Sequence, residues 1–119
     1  MGNIYGKGAK GKATKLHALI VRSRGRCEHC GSEHVLQCAH IISRKYSWTR
    51  TDLDNAFCLC ASCHRFFTDN PVEFGTFTIQ MIGDEKFDGL IMKRNSIDKF
   101  NWDEEAKRLN TIAKEEGLL

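Results

Sequence analysis

The chain has 119 residues, a formal net charge of +3 and six cysteines. This length allows one small domain with a modest core, whose folding a bound metal ion can support. No apolar run is long enough to cross a membrane, and the Gly- and Lys-rich start does not resemble a signal peptide. We therefore expect a cytoplasmic protein without a membrane partner, in which closely spaced cysteines hold metal rather than form disulfides.

Basic residues dominate the start of the chain, since residues 1–26 contain no acid. Residues 1–11 are rich in Gly and Lys and are predicted to be a flexible segment. Residues 12–24 place apolar side chains at helical spacing, which predicts an amphipathic helix. The positive charge suits attraction to phosphate backbones, although a solvated leader explains it as well.

Two C-x2-C pairs separated by 29 residues are the strongest signal in the sequence. Paired cysteines on tight turns are typical of a tetrahedral structural zinc site. Gly31 follows the first pair, where a left-handed backbone is often needed. Cys58, one of the two remaining cysteines, is interpreted as a core residue. We predict a structural Zn²⁺ held by Cys27, Cys30, Cys60 and Cys63.

Between the two pairs, the pattern predicts two short strands and the start of a helix. Residues 35–42 and 55–59 are mostly apolar and read as strands, and the polar, basic residues 43–54 read as a loop. A helix over residues 63–68 is predicted to end at Asp69-Asn70-Pro71.

Two further helices are predicted after this segment. Pro71 suits the first turn of a helix that carries Val72 and Phe74. The last helix is the clearest, with Asn101 as N-cap, Glu104 three residues later and Gly117 as terminator.

This order of strand, loop, strand and helix between two cysteine pairs resembles the HNH endonuclease family, whose fold is the ββα-metal motif. The matching stretches are the first cysteine pair, AHII at residues 39–42 and NAFCLCASCH at residues 55–64. The segment is also similar to small phage and prophage HNH nucleases, including recombination proteins of the NinG type.

The resemblance implies a fold and a domain plan. The fold class would be α+β, a small zinc-stapled core with flanking N-terminal and C-terminal helices. After the flexible segment 1–11, residues 12–119 would form a single nuclease domain. The zinc and catalytic core would lie at 27–70 and a helical extension at 71–119.

The resemblance also implies roles for three residues. His40 would be the general base that takes a proton from the attacking water, a task suited to imidazole. His64 would ligate a separate catalytic divalent ion (Mg²⁺, Mn²⁺, Ni²⁺ or Zn²⁺), which would bind the scissile phosphate. Asn55 would either ligate that ion or hydrogen-bond the loop that holds His40.

One position departs from the family pattern. The family usually places Asp or His immediately before the base, as a second metal ligand, and here that position is Ala39. Cys38 is a candidate replacement ligand, although strand alternation would point it the other way unless the backbone bulges. Asp52 and Asp54 are other candidate sources of an oxygen ligand.

Basic and aromatic residues near the predicted site indicate a nucleic-acid substrate. Tyr46 and Trp48 lie within the basic loop and could stack on unpaired bases, or Trp48 could be a packed loop anchor. The candidate phosphate-binding residues are Arg44, Lys45, Arg50 and Arg65.

Together these features predict a metal-dependent endonuclease that hydrolyses DNA, including branched or partly single-stranded DNA. Phage packaging or recombination proteins are the expected protein partners, and a phage-encoded enzyme would act in the bacterial host cell. The alternative is a non-catalytic zinc-ribbon module for nucleic-acid binding or assembly, which leaves His40, Asn55 and His64 unexplained. The other three histidines (His17, His29 and His34) are interpreted as surface residues.

Overall fold

The computed structural model describes residues 5–119 and has an α+β fold, as predicted. Two antiparallel strands form the sheet that the structure shows within these residues. In chain order the elements are α1 (Gly8–Arg22), β1 (Leu36–His40), α2 (Ser47–Arg50), a 3-10 turn (Leu53–Asn55), β2 (Ala56–Cys60), α3 (Ala61–Asp69), α4 (Pro71–Arg94) and α5 (Trp102–Glu115).

The β1–β2 pair presents two different faces, because side chains alternate along a strand. Ala39 and its register partner Phe57 pack with Cys27, Cys60, Cys63 and α3 in one core cluster, and we call this side the clip face. Cys38 and its partner Cys58 lie on the opposite side, where Cys58 packs against Val21 of α1. We call this second side the α1 face.

Aromatic rings fill the core beneath the clip face. Phe67 of α3 stacks on Phe77 of α4 with ring centroids 4.9 Å apart. Phe57 of β2 contacts Phe77 at 5.0 Å. This cluster ties the sheet to α3 and to the first half of α4. Of the two apolar positions predicted after Pro71, Phe74 packs against the cluster and Val72 is 77% exposed.

A second core lies between the two terminal helices. Leu16 and Ile20 of α1 pack against Leu109 and Ala113 of α5. Leu109 and Ala113 are fully buried. The predicted apolar faces of both helices are therefore confirmed. Helix α1 contacts both strands and α5, so α5 supports the position of α1 on the sheet.

Helix α1 begins earlier than predicted, at Gly8 instead of Lys12. The last four residues of the segment predicted to be flexible are thus helical, and residues 1–4 of that segment lie outside the described part of the chain. Gly11 has a structural reason, because a Cβ atom there would lie 2.1 Å from the Gly6 carbonyl oxygen.

Later elements follow the prediction with two differences. The N-cap of α5 is confirmed, since the Glu104 N–H donates to Asn101 Oδ1 at 3.0 Å. The loop predicted at 43–54 contains the short helix α2 and most of the 3-10 turn. Helix α4 is kinked at Gly83, whose φ of 82° and ψ of 162° interrupt the helix.

Among residues 5–119, none of the helices has the length and apolar character that a membrane crossing requires.

Candidate active site and metal centres

Both cysteine pairs converge beside the clip face. The four sulfur atoms of Cys27, Cys30, Cys60 and Cys63 lie within 4.8 Å of one another. The Cys30 and Cys60 sulfurs are 3.6 Å apart, close to the roughly 3.8 Å edge that tetrahedral Zn–S bonds of about 2.3 Å require. The donor set and its spacing therefore fit a single zinc ion.

Local backbone geometry shapes the first knuckle. Gly31 adopts the left-handed conformation predicted for it, with φ of 81°, and its N–H donates to the Cys27 carbonyl at 2.9 Å. The Cys30 N–H points at Cys27 Sγ, 3.5 Å away. This turn brings both thiols of the first pair to the same point.

Neighbouring dipoles favour a thiolate in this cluster. Burial alone would raise the pKa of Cys27, but backbone N–H groups of Cys30, Cys60 and His29 outweigh it and lower that pKa to about 6. Burial raises the pKa of Cys63, and its neighbouring thiols add to the effect because several anions at such distances repel one another. A divalent cation would relieve that repulsion.

His29 contributes to the surroundings of the cluster and not to its donor set. Its Nδ1 atom is 3.2 Å from Cys63 Sγ. Its ring meets Phe67 and Phe77 edge-on, at 4.9 and 5.3 Å. The predicted surface position is right in exposure, but the ring also contacts a predicted zinc ligand.

His40 stands at the end of β1 with one ring nitrogen fixed. Its Nε2–H donates to the Arg50 carbonyl at 2.8 Å, so the ring in its neutral form has its lone pair on Nδ1. Burial lowers the pKa of His40, and the positive charges of Arg44 and Arg50 lower it further, against the opposing effect of the Arg50 carbonyl. The imidazole is therefore neutral at pH 7, the form that a general base needs.

Asn55 is completely buried and its amide is fully engaged. Its Oδ1 accepts from the Ile42 N–H at 2.8 Å, and its Nδ2 donates to the carbonyls of Ile42 and Thr49 at 3.1 and 2.9 Å. These bonds close the loop between the strands. Of its two predicted roles, the geometry matches the loop-holding one and leaves no free donor for a metal ion.

Arg50 is also used internally, in contrast to its predicted phosphate contact. Its guanidinium donates to Thr14 Oγ1 at 2.8 Å, to the Arg44 carbonyl at 3.1 Å and to the Tyr5 carbonyl at 3.1 Å. These three acceptors connect the loop to α1 and hold the carbonyl that His40 uses. The side chain is only partly exposed.

His64 lies in the first turns of α3 and shares a cleft with His40. Its Nδ1–H donates to Gln37 Oε1 at 2.8 Å, which leaves the Nε2 lone pair without a partner among the described residues. Burial lowers the pKa of His64. The cleft, of about 510 Å³, is also lined by Arg22 and Arg44, so its wall is basic.

The other predicted ligands of a catalytic ion do not gather around His64. Cys38 Sγ lies 3.8 Å from His17 Nδ1 and belongs to a different donor cluster. Asp52 is bound by Lys93 at 2.7 Å, and Asp54 faces Lys86 at 3.5 Å. Among residues 5–119, no group of three His, Cys, Asp or Glu donors includes His64.

His17 is the functional-site neighbour that the sequence reasoning missed. It was interpreted as a surface residue, yet its side chain is 0% exposed. Its Nε2 donates to the Asp52 carbonyl at 3.0 Å, and its ring centroid lies 5.2 Å from that of His40. Burial, followed by the proximity of His40, lowers its pKa to about 4. The available signal was its position four residues after Ala13 and four before Val21, on the apolar face of α1.

The remaining basic and aromatic residues are distributed over two areas. Arg44 lines the cleft, and Arg65 is exposed on α3. Lys45 lies over the Tyr46 ring at 5.0 Å, away from the cleft. Trp48 donates from Nε1 to the Asp98 carbonyl at 2.7 Å, which is the loop-anchor arrangement.

Comparison with known families agrees with this architecture. Residues 26–71 match the family model described as HNH endonuclease, which includes both cysteine pairs, both strands and α3. This match, over less than half of the chain, confirms the predicted resemblance to that family. A search of curated proteins and a search of solved structures each found no match.

Proposed function

We propose that this protein is a metal-dependent endonuclease that hydrolyses DNA phosphodiester bonds, with His40 as its general base. One observation carries the proposal. A neutral His40, fixed by the Arg50 carbonyl at 2.8 Å, shares a basic cleft with His64 inside a segment that matches the HNH endonuclease family.

The proposed first step is proton transfer from water to His40 Nδ1. The water oxygen then attacks the phosphorus atom, the bond from phosphorus to the leaving sugar oxygen breaks, and that oxygen takes a proton from solvent. The resulting imidazolium keeps its Nε2–H bond to the Arg50 carbonyl and later returns its proton to solvent. That carbonyl stabilises the positive ring and fixes its orientation. Because the pKa of His40 is lowered, the base is ready at neutral pH without prior deprotonation.

Asn55 and Arg50 act in this scheme as positioning residues. Asn55 Nδ2 donates to the Thr49 carbonyl, one residue before the Arg50 carbonyl that accepts the hydrogen bond from His40 Nε2. The Arg50 guanidinium holds the same segment against Thr14 of α1. We therefore replace the metal-ligand role of Asn55 and the phosphate role of Arg50 with this function.

Two kinds of metal ion would serve the protein. The four-cysteine cluster would hold Zn²⁺ as a structural ion. His64 would hold the catalytic ion through Nε2, with its ring oriented by Gln37. That ion, when bound, supplies positive charge for the scissile phosphate and the leaving oxygen. A lone imidazole with no acid beside it suits a transition-metal ion such as Ni²⁺ better than Mg²⁺.

Arg44 is the best-placed residue for the phosphate backbone, because it lines the cleft next to His40. Arg65 and Lys45 would extend the contact to either side. Residues 12–119 would act as one domain, since α1 supplies part of the cleft. Preference for branched DNA, phage protein partners, the host cytoplasm and closeness to NinG-type proteins stay predictions.

Cleavage of supercoiled plasmid tests the proposal. Wild type and His40→Ala, each with its structural zinc retained and freed of loosely bound metal, would be supplied with Mg²⁺, Mn²⁺ or Ni²⁺. We expect metal-dependent nicking or linearisation by wild type and a loss of about 100-fold or more in the variant, the lower end for a general base. His34→Ala, which changes an exposed histidine, is the matched control.

A second outcome would favour the non-catalytic alternative. If neither protein cleaves, while both retain zinc and bind DNA, Ala39 marks a site that has lost its chemistry. The protein would then be a zinc-ribbon module for nucleic-acid binding or assembly.

A further inference from the structure

We propose that His17, Cys38 and His40 form a second metal site, which takes a zinc-like transition-metal ion and thereby inhibits the nuclease. The binding part of this inference stands on geometry alone. The inhibitory part rests on the proposed function, because it needs His40 to be the base.

The three side chains come from different elements and meet on the α1 face. One donor atom from each lies within 4.8 Å of the other two. His17 Nδ1 and Cys38 Sγ are 3.8 Å apart, near the roughly 3.5 Å edge expected from Zn–N and Zn–S bonds of about 2.0 and 2.3 Å. Because Cys38 and His40 are two residues apart on β1, strand alternation places them on one side.

Both histidines are already oriented as metal ligands usually are. A ligating histidine generally donates its other ring N–H to a carbonyl or carboxylate, which fixes its tautomer. Here His17 Nε2 donates to the Asp52 carbonyl and His40 Nε2 donates to the Arg50 carbonyl, at 3.0 and 2.8 Å. Each ring therefore keeps Nδ1 as its free donor, and in His17 that atom faces Cys38.

An ion can reach this cluster from the cleft. Cys38 and His40 both line the cleft that contains His64, and His17 lies behind them, fully buried. Three protein donors leave a fourth tetrahedral position open on the cleft side for water, as in catalytic zinc sites.

The donor types select the class of ion. Two imidazoles and a thiolate suit Zn²⁺, Co²⁺ or Cu²⁺, and they do not suit Mg²⁺ or Ca²⁺, which prefer oxygen. Burial raises the pKa of Cys38 to about 11, so an ion must displace its proton. Arg24, Arg22 and Arg44 lower that pKa and so favour the thiolate. They also repel a cation, so we expect weaker binding than at the four-cysteine cluster.

Inhibition follows from the single free nitrogen of His40. An ion bound there occupies the lone pair that would accept the water proton. A zinc-like ion would therefore lower cleavage, whereas Mg²⁺ would not enter the site. His64 and its partner Gln37 are not members of this cluster.

Cobalt titration tests the binding. The protein, with its structural zinc in place and kept reduced, would be titrated with Co²⁺ while the near-ultraviolet and visible spectra are recorded. We expect a sulfur-to-cobalt charge-transfer band and strong ligand-field bands at one added equivalent. In Cys38→Ser the charge-transfer band should disappear and the apparent affinity fall at least about 100-fold, since even outer-shell partners are worth about 10- to 100-fold.

Cys58→Ala is the matched control, because Cys58 is the register partner of Cys38 on the same face and lies outside the cluster. Its cobalt spectrum should equal that of wild type. A band that survives Cys38→Ser, or one that is lost in Cys58→Ala, would overturn the assignment. Thermal unfolding and zinc content of each variant establish that the fold is intact.

Cleavage measurements test the inhibition separately. For each protein, the rate in Mn²⁺ would be compared with the rate after one equivalent of Zn²⁺ beyond the structural ion. We expect a clear loss in wild type, and about 100-fold more Zn²⁺ for the same relative loss in Cys38→Ser. Equal sensitivity of both proteins would contradict inhibition through this site. If no protein cleaves DNA, the proposed function fails, and the cobalt spectra still decide the site.

Discussion

The two faces of the β1–β2 pair differ in how their polar chemistry is assembled. Beside the clip face, the zinc ligands come in two C-x2-C pairs, so each pair is set by a single turn of the chain. On the α1 face, His17 and His40 are 23 residues apart in the sequence and meet only because α1 packs against the sheet. Each cysteine pair is therefore encoded locally, whereas every contact between the histidines of the α1 face depends on tertiary packing.

Removal of the structural ion should have the largest effect on stability, because the ion joins the two cysteine pairs beside the clip face. Cys60→Ser takes one of four ligands from a site that would contribute on the order of 10 kcal/mol to folding. We expect loss of bound zinc and of cooperative unfolding, measured by native mass spectrometry and circular dichroism. Cys58→Ala, a buried cysteine outside the cluster, should keep both. A cooperative, zinc-bound Cys60→Ser protein would contradict the assignment.

Asn55→Ala should have the next largest effect on stability, because it acts on the loop between β1 and β2. The change leaves the Ile42 N–H and the carbonyls of Ile42 and Thr49 without partners in a buried position. At about 1–3 kcal/mol for each unsatisfied group, partly relieved by water, we expect about 3–5 kcal/mol of lost stability in urea unfolding. Asn95→Ala, at an exposed position, should change little. A loss below about 1 kcal/mol would mean that the loop does not depend on this amide.

His17→Gln tests the buried histidine through the pH dependence of stability. A histidine with a pKa of about 4 when folded and about 6.5 when unfolded binds more protons in the unfolded state. Protonation of His17 therefore favours the unfolded state. It lowers the free energy of unfolding progressively as the pH falls from about 6.5 toward 4 and has no effect above that range.

Between pH 7 and pH 5, with no added metal, wild type should lose about 2 kcal/mol more than His17→Gln does. The subtraction removes the acid sensitivity that the two proteins share through the zinc cluster. His34→Gln should follow wild type, because His34 is exposed. Parallel curves for wild type and His17→Gln would show that His17 is not buried as described.

Asn101→Ala should have the smallest effect on stability, and it tests the packing of α1 on which the α1 face depends. It removes the N-cap of α5, the helix that supports α1 from behind, and N-caps are worth about 1 kcal/mol. For a chain of this size, the melting temperature should fall by about 3–5 °C. Asn110→Ala, in the interior of the same helix, is the matched control and should not lower it. An unchanged melting temperature in Asn101→Ala would remove the cap from the account.

The same division explains what the sequence could and could not predict. The cysteine pairs, Gly31 and the Asn101 cap follow short-range rules, so their positions were predictable from spacing alone. The helix predicted to begin at Pro71 was given no end, so its interruption at Gly83 was not predicted. The use of Arg50 was missed as well, since its acceptors in Thr14 and Tyr5 are distant in sequence.

Ala39 occupies the position where the family usually places a metal ligand. Cys38 was a candidate replacement ligand only if the backbone bulged, and in the regular register of β1 its sulfur lies beside His17 instead. Strand alternation already predicted that Cys38 points away from the side of Ala39. Its contact with His17 was not predictable, because it depends on how α1 packs against the sheet.

The dependence of cleavage rate on pH, in wild type and His40→Ala, tests the central claim most directly. With Mg²⁺ or Mn²⁺ present and zinc excluded from solution, the wild-type rate should be constant near pH 7. It should then fall tenfold per pH unit below a pKa that lies under the usual value of about 6.5, since only neutral His40 can accept the proton. The slower His40→Ala protein should lack this step. The same step in both proteins, or equal rates at pH 7, would contradict His40 as the general base.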